Sequence, residues 1–337
     1  MGVKEFGRHA RARAIGMSLN PGRSAFTCTA FSQNTFLIVE TDDIYSERPF
    51  IYAILRPEAG FILLIDTGCG GASTRPDIEI KRLRDFIETV EIPDNNNKPL
   101  NANGHFGYVV ALSHCHYDHI LGIEPFAAAS DESGFIQIVV SSRSPSFISP
   151  SSLPEHSLCN ALNIRVPCYA PILVPHFHRI TGRSPSDKHQ DLGLTVLHTP
   201  GHTPDSMAIW DERKAVIYVG DTLYEDEPII FPKEGSIVVW LDTIDFLISF
   251  VESQRTQRSV PTEVLISCGH ATAFKPALSV LRDAKVYIQN VVSGKEKERG
   301  RRDKRGETNV EYGEVGDRFR LVCPERLVKE AALDRRS

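Results

Sequence analysis

The sequence predicts an α/β protein in which two strand-rich halves together form one large folded unit. With 337 residues and 41% hydrophobic residues, the chain is long enough to bury a large core. Short apolar runs of β-branched and aromatic residues indicate strands, and longer segments with apolar residues at helical spacing indicate helices. The net charge of −5 argues against a surface specialised for a nucleic acid backbone.

The N-terminal half is predicted to contain a basic arm, a series of strands and a helix. The arm covers residues 1–25, which are polar and contain a Pro-Gly pair. A helix is predicted for residues 78–90, because their apolar side chains recur on one side. The predicted strands of this half are 34–40, 50–55, 61–65, 108–112 and 136–140.

Residues 141–190 interrupt the strand pattern with a segment rich in Ser and Pro. Apolar residues recur within the segment, whereas a disordered linker would contain fewer of them. We therefore expect an ordered insertion that packs on the main body and contributes to a substrate pocket or a subunit contact.

The C-terminal half is predicted to add further strands, two helices and a charged segment. Helices are predicted for residues 237–251 and 277–292, and the predicted strands are 195–197, 207–210, 216–219 and 264–267. The run 295–305 carries charges of both signs and is predicted to be a solvated surface loop, with a nucleic-acid or localisation patch as the less favoured alternative.

Metal-ligating residues cluster directly after the apolar strand 108–112. His114, His116, Asp118 and His119 fall within six residues. Alternate residues that leave a strand point the same way, so the first two can bind one metal ion, and the last two can face a second ion beside it. Imidazole and carboxylate are ligands that zinc prefers.

Three more candidate ligands follow, each at the end of a predicted strand and next to a glycine. They are His202 in a Pro-Gly-His turn, Asp221 in a Gly-Asp turn and His270 in a Gly-His turn. Glycine permits a tight turn close to a ligand. One such residue alone would indicate little, but all three in this order after the first motif indicate a metal site.

The ordered motifs H-x-H-x-D-H, PGH, GD and GH resemble those of the metallo-β-lactamase superfamily, and Asp66-Thr67-Gly68 matches its early strand-end motif. The resemblance implies an α/β fold of the four-layer αββα sandwich type over residues ~26–293, with a binuclear metal site at the edge of the two sheets. It implies that residues 26–337 are a single domain, containing the insertion 141–190 and the charged segment 295–337.

The same resemblance implies the role of each ligand. His114, His116 and His202 would hold one metal ion, Asp118, His119 and His270 the other, and Asp221 would bridge them. Asp66 would support the site without binding metal. The expected cofactors are two Zn²⁺ ions, with other divalent transition metals as an alternative.

The expected chemistry is hydrolysis by a hydroxide held between the two metal ions. Asp118 and Tyr224 are the candidate catalytic residues. Tyr224 follows Asp221 by three residues, as in the quorum-quenching lactonases of the superfamily, and its phenol could donate a hydrogen bond to a developing oxyanion. The motifs also resemble those of fungal members that open lactones, lactams or cyclic carbamates, so the expected substrate is a small cyclic ester or cyclic amide.

Four alternatives stay open at this point: a glyoxalase II-like thioesterase, a nuclease or phosphodiesterase, a non-catalytic scaffold and an oxygen-using di-iron centre. The last is disfavoured because flavin-linked members of the superfamily have Glu where His116 stands. Cys115 and Cys268 lie beside the motifs and are expected to be structural. The second H-x-H, His176 and His178, is expected to lie on the surface or line a pocket, because no nearby third ligand supports it.

The expected setting is cytoplasmic, with reduced thiols, because the seven cysteines are an odd number and no signal peptide is recognisable. The expected partner is a small-molecule substrate, with no nucleic acid and no membrane, and a homodimer is left open.

Overall fold

The computed structural model describes residues 24–127, 135–183, 189–256, 262–304 and 306–334. The predicted N-terminal arm lies outside these residues except for its last two. Of these, Ala25 is buried and its backbone N–H donates a hydrogen bond to the carbonyl of Ile80 (3.0 Å), so it belongs to the folded body.

The strands and helices of the described residues are numbered in chain order. The strands are β1 Phe26–Ser32, β2 Thr35–Glu40, β3 Phe50–Arg56, β4 Phe61–Ile65, β5 Gly107–Ala111, β6 Ile136–Ser141, β7 Ile172–Val174, β8 Arg179–Arg183, β9 His189–His198, β10 Met207–Asp211, β11 Val216–Tyr218, β12 Pro228–Ile230, β13 Leu265–Ser267, β14 Lys275–Pro276, β15 Glu298–Lys304, β16 Glu307–Tyr312 and β17 Arg320–Pro324. The helices are α1 Leu83–Thr89, α2 Tyr117–Ile120, α3 Glu124–Ala127, α4 Leu153–His156, α5 Cys159–Leu162, α6 Ile237–Thr256, α7 Ala277–Val292 and α8 Glu325–Asp334.

Two large sheets form the body of the described structure. The first contains β1 to β7 in sequence order, antiparallel from β1 to β4 and parallel from β4 to β7. The second has the order β14-β13-β11-β10-β9-β8. A smaller third sheet has the order β12-β17-β16-β15, so residues just after the Gly-Asp turn pair with the C-terminal segment.

The hydrophobic core is divided into three layers by the two large sheets. Alternate side chains of each strand face opposite sides of a sheet. Leu63 of β4 and Ile209 of β10 meet between the sheets, whereas Leu64 faces α1 on one outer side. On the other outer side, Ile217 of β11 packs with α6 and α7. The four-layer αββα arrangement predicted from the motifs is therefore confirmed.

Residues 141–190 are a structural part of both sheets where they are described. Short helices α4 and α5 are followed by β7, which ends the first sheet, and by β8, which ends the second. The described residues of the segment pack on the body and supply an edge strand to each sheet.

The charged run 295–305 is not the loop that its composition predicts. Residues 298–304 form β15, which pairs antiparallel with β16. Its side chains are almost all exposed, so the strand buries too few apolar groups to show an alternating pattern. Exposed charges along an edge strand discourage further strand pairing. The prediction of a loop for this run was therefore wrong for residues 298–304. Arg305 lies outside the described residues.

Several other boundaries differ from the sequence-based expectation. The helix predicted for 78–90 is shortened to α1, and the strand predicted for 195–197 extends to all of β9. Among the described residues, no helix has the length and apolar character needed to cross a membrane.

Candidate metal centre

The H-x-H-x-D-H motif lies at the end of β5, where the chain leaves the sheet and enters α2. His114 and His116 lie in the connection, and Asp118 and His119 lie in α2; all four are buried. The same edge receives His202, Asp221 and His270 from the second sheet, so the structure brings all seven predicted ligands together.

The first ligand group consists of three imidazoles. His116 Nδ1 lies 2.9 Å from His114 Nε2 and 3.1 Å from His202 Nε2. Nitrogen ligands at the usual zinc distance in a tetrahedral site are about 3.3 Å apart. The three nitrogen atoms are therefore spaced as ligands of one metal ion.

The second ligand group combines two imidazoles with two carboxylates. His119 Nε2 lies 3.5 Å from an oxygen of Asp118 and 3.4 Å from an oxygen of Asp221. His270 Nε2 lies 3.2 Å and 3.6 Å from oxygens of the same two residues. The His114 and His119 ring centroids are 4.2 Å apart, so the two groups adjoin.

In four of the five histidines, the Nδ1 atom faces away from the ligand group and makes a hydrogen bond that orients the ring. His119 Nδ1 donates to Asp66 Oδ2 (2.8 Å), His202 Nδ1 to the carbonyl of Ile230 (2.7 Å) and His270 Nδ1 to the carbonyl of Glu47 (3.0 Å). His114 Nδ1 contacts Ser113 Oγ (3.1 Å). A fixed outer nitrogen leaves Nε2 free to face a metal ion.

Asp66 connects the first sheet to both ligand groups. Its carboxylate accepts hydrogen bonds from the backbone N–H (2.7 Å) and hydroxyl (2.8 Å) of Ser113 as well as from His119. It is buried and is in neither ligand group. Its position fits the supporting role that the motif implies.

Two glycines allow the turns to approach each other closely. A Cβ atom on Gly269 would lie 2.2 Å from Asp221 Oδ1 and 2.8 Å from His119 Cε1. Gly220 has a φ of +52°, and a Cβ there would lie 2.6 Å from Ser113 Oγ. Larger residues at these positions would displace the ligands.

The two groups differ in the protonation that their surroundings favour. Burial lowers the pKa of His114 and His202, and lowers that of His116 to about 3, so these imidazoles are neutral as a metal ion requires. Burial also opposes charge on His119 and His270, but Asp118 and Asp221 outweigh it. They raise the pKa of His119 well above its ordinary value and that of His270 to about 9.

Buried polar atoms without partners support the presence of a metal ion. His119 Nε2 and Asp221 Oδ1 are buried and lie 3.4 Å apart, yet neither has a hydrogen-bond partner of good geometry among the described residues. An unpartnered buried polar atom destabilises a protein unless a ligand satisfies it. Nitrogen and carboxylate donors in two adjoining groups fit two divalent transition-metal ions, zinc among them.

Tyr224 is buried beside the second group. Its ring centroid is 5.7 Å from that of His270, in an edge-on arrangement. Burial and the nearby Asp221 raise its pKa well above the ordinary value, so the phenol stays protonated and can donate a hydrogen bond.

The remaining sequence candidates lie outside both ligand groups. His176 Nδ1 accepts a hydrogen bond from the backbone N–H of His198 (2.9 Å), and His178 is partly exposed nearby. Cys115 and Cys268 are buried free thiols and are absent from the ligand groups, which fits a structural role.

Sequence reasoning missed the backbone carbonyls that orient two of the ligands. Glu47 lies in the loop between β2 and β3, and Ile230 ends β12. Glu47 also accepts a hydrogen bond from the hydroxyl of Tyr117 (2.6 Å) through its side chain. A carbonyl is present at every residue, so neither contact has a signature in the sequence.

The fold and the ligand set together define a metallohydrolase of the αββα sandwich class. Residues 108–270 match the sequence model of the family described as "Metallo-beta-lactamase superfamily". The chain belongs to the metallo-β-lactamase superfamily.

The chain is also similar to curated relatives and to solved structures. The chain is 33% identical over 315 residues to "Putative transcription factor avaE" of Aspergillus versicolor, covering 91% of this chain and 89% of that protein. It is 24% identical over 233 residues to human "Acyl-coenzyme A thioesterase MBLAC2", covering 67% and 74%. The crystal structure of a metallo-β-lactamase family protein from Thermus thermophilus shares the fold, with a TM-score of 0.52, 16% identity and coverage of 79% and 82%.

Proposed function

We propose that this protein is a binuclear zinc hydrolase that opens a small cyclic ester or cyclic amide. The observation that carries the proposal is the pair of adjoining ligand groups, with a protonated phenol, Tyr224, beside the second. Two divalent ions bound there would acidify a bound water and polarise a substrate carbonyl.

The residues around the ligand groups supply the other parts of a hydrolytic site. His119 and His270 lower the pKa of Asp118 well below its ordinary value against the effect of burial, so this carboxylate is ionised and can accept a hydrogen bond from the attacking water. Tyr224 would donate a hydrogen bond to the carbonyl oxygen as negative charge develops there.

The insertion supports the proposal of a pocket for a small molecule at this edge. The backbone N–H of Tyr117, next to Asp118, donates to the carbonyl of Ser157 (3.0 Å) between α4 and α5. Lys233, which follows β12, forms an ion pair with Glu155 of α4 (2.5 Å). Ser157 of the insertion therefore lies beside the helix that carries Asp118 and His119, which supports a contribution of this segment to a substrate pocket.

Thioester hydrolysis is the second candidate function. The similarity to the human protein named as an acyl-coenzyme A thioesterase favours it, because the matched region covers 67% of this chain. The same attacking water would serve an ester, an amide or a thioester. The three classes differ in how much help the leaving group requires, so only a comparison of substrates separates them.

The name of the Aspergillus relative introduces transcriptional regulation as another candidate. Binding DNA would not require seven buried metal ligands around unpartnered polar atoms, and this cluster favours hydrolysis for the present chain. A fluorescence anisotropy titration with mixed-sequence duplex DNA should show no binding beyond that of an acidic control protein at matched salt.

Metal analysis combined with a substrate panel tests the proposal. We expect about two zinc ions per chain and hydrolysis of at least one lactone or lactam in preference to acyl thioesters and phosphodiesters. His178→Ala, a histidine outside the site, is the matched control for His114→Ala. A preference for thioesters would replace the first candidate by the second, and metal-free protein with full activity would contradict both.

A further inference from the structure

The segment from the end of β11 through β12 carries three elements of the metal centre. Asp221 belongs to the second ligand group, Tyr224 lies beside His270, and the carbonyl of Ile230 accepts the hydrogen bond that orients His202. A shift of this segment would therefore move a ligand, a candidate catalytic residue and the support of another ligand together.

The smaller third sheet, formed by β12, β15, β16 and β17 and called the C-terminal sheet below, holds this segment from outside the sandwich. Strand β12 pairs in parallel with β17, and Ile229 lies opposite Leu321. The backbone N–H of Phe231 donates to the carbonyl of Val322 (2.9 Å), and that of Asp226 donates to the carbonyl of Arg318 (2.9 Å). Both ends of the stretch after Tyr224 are thus fixed by the C-terminal sheet and the turn that precedes β17.

The side chain of Arg318 connects this segment to α7. Its Nε donates to Glu225 (2.5 Å) and its Nη1 to Asp283 of α7 (2.6 Å). Glu225 is buried, and its backbone N–H donates to the hydroxyl of Thr272 (2.7 Å), two residues after His270. Glu225, the residue next to Tyr224, therefore links the guanidinium to the turn that carries His270.

We propose that Arg318 is a positioning residue of the metal centre, acting through Glu225 to fix the segment that carries Asp221, Tyr224 and the Ile230 carbonyl. This inference rests on the proposed function, since it assigns a role toward metal ions bound by the two ligand groups. The C-terminal sheet is then part of the scaffold of the active site, although three of its four strands, β15, β16 and β17, lie outside residues 108–270, which match the family.

The expected consequence is a change in metal affinity with little change in global stability. Loss of a partner that hydrogen-bonds a metal ligand typically weakens metal binding by about 10- to 100-fold. Arg318 acts one connection further from the ligands, through Glu225, so its loss should lie at the lower end of that range. The Arg318 side chain is 44% exposed and that of Glu225 is 11% exposed, so water can replace part of the interaction and the effect on the stability of the fold should be small. A merely structural residue would lower the melting temperature of the metal-free protein instead.

The test is a Co²⁺ titration with a competing chelator, followed by visible absorbance, on the full chain and its variants. We expect Arg318→Gln to raise the dissociation constant of at least one ion by roughly tenfold. Arg318→Lys should stay within about threefold of the parent, because an ammonium can still pair with Glu225. The melting temperature of each metal-free variant should lie within about 3 °C of the parent.

A second variant and a matched control make the test specific. Glu225→Gln should weaken Co²⁺ binding to the same degree, and the double variant should show no additional loss, because both changes remove one connection. Arg302→Gln removes a comparable exposed ion pair with Glu311 in the same sheet and should bind Co²⁺ like the parent.

Three results would overturn the inference: parent-like affinity in Arg318→Gln, an equal loss in Arg302→Gln, or a metal-free melting temperature that falls as much as the metal-loaded one. These outcomes are independent of substrate, so a protein that binds two ions but hydrolyses none of the panel would contradict the proposed function alone. A parent chain that binds no Co²⁺ would contradict both.

Discussion

The two ligand groups adjoin, yet they differ in charge. The first contains three imidazoles and no carboxylate, and burial keeps its histidines neutral. The second contains Asp118 and Asp221, whose charges are balanced by His119 and His270 when no metal is bound. A metal ion in the first group replaces no internal ion pair, whereas one in the second must replace those between its histidines and carboxylates.

The two groups also depend on different parts of the chain. His202 of the first group is oriented by β12, which is held by the C-terminal sheet. In the second group, His119 is oriented by Asp66 and His270 by the loop between β2 and β3. The ligands of one centre are thus oriented by different elements, and although Asp66 and the segment from Asp221 to Ile230 contact both groups, substitutions should affect the two groups unequally.

The largest effect is expected from removing a ligand of the first group. His114→Ala leaves two imidazoles, too few to hold an ion without other protein ligands. We expect metal content to fall to about one ion per chain and the rate to fall by more than about 100-fold. Plasma mass spectrometry and kinetics on the same preparation check this, with His178→Ala as the control. Retention of both ions would contradict the assignment of the first group.

A smaller effect is expected from Asp66→Asn, which alters the support of the second group. The carboxylate accepts three hydrogen bonds, two from Ser113 and one from His119, whereas an amide offers only one acceptor oxygen. We expect affinity for the second ion to fall by about 10- to 100-fold while the first ion is retained.

The control for Asp66→Asn is Asp77→Asn, which removes an exposed carboxylate that pairs only with Arg75 in the hydrogen bonds described. Calorimetric titration with Zn²⁺ resolves the two binding steps. Equal weakening of both binding steps would show that Asp66 supports the two ligand groups equally.

The sequence predicted the ligand groups because their chemistry resides in side chains at recognisable spacing. His114 and His116 alternate after a strand, and His202 and His270 follow glycine turns, so the residue types and their order made them candidate ligands. The resemblance to the superfamily implied which ion each would hold. The apolar strands β3, β4 and β5 were predicted for the same reason, since buried strands show uninterrupted apolar runs.

The parts that the sequence did not predict lack such a side-chain signature. The carbonyl groups of Glu47 and Ile230 act through the backbone, and β15 is exposed on both faces. The pairing of β12 with β17 joins residues more than ninety positions apart, and a pattern within one window contains no information on it.

Tyr224 is expected to contribute to the chemistry beside the second group. A preorganised donor to an oxyanion contributes about 2.7–4 kcal/mol, and a phenol next to an ion that already polarises the oxygen should contribute less. We expect Tyr224→Phe to retain both ions and to lower kcat and kcat/KM by comparable factors of about ten to thirty on the best cyclic substrate.

The control for Tyr224→Phe is Tyr312→Phe, a partly buried tyrosine of β16. A rise in KM alone would make Tyr224 a binding residue instead. Unchanged kinetics would remove the main reason for preferring a lactone or lactam over a thioester.

The smallest effect is expected at Glu40, a buried acid near the second group, and it concerns the pH dependence of stability. Its carboxylate accepts hydrogen bonds from the backbone N–H groups of Cys69 and Gly71, both at 2.6 Å. Burial outweighs these bonds and, with Asp43 and Asp118 nearby, raises its pKa from 4.5 to about 8. The folded protein therefore binds this proton more tightly than the unfolded chain.

The sign of the pH dependence follows from that raised pKa. The contribution of Glu40 to stability is fully present below about pH 4.5 and is lost as the pH rises through about 8. The Gln side chain of Glu40→Gln does not titrate. From about pH 5 to about pH 8, the melting temperature of this metal-free variant should therefore fall by at least about 2 °C less than that of the metal-free parent. Because Gln accepts only one of the two backbone bonds, the variant should also be less stable at low pH. The melting temperatures of parent and variant are measured by calorimetry across this pH range in the presence of a chelator. Parallel curves would contradict the raised pKa. Glu40 would then be ionised in the folded protein and would add a negative charge near Asp118.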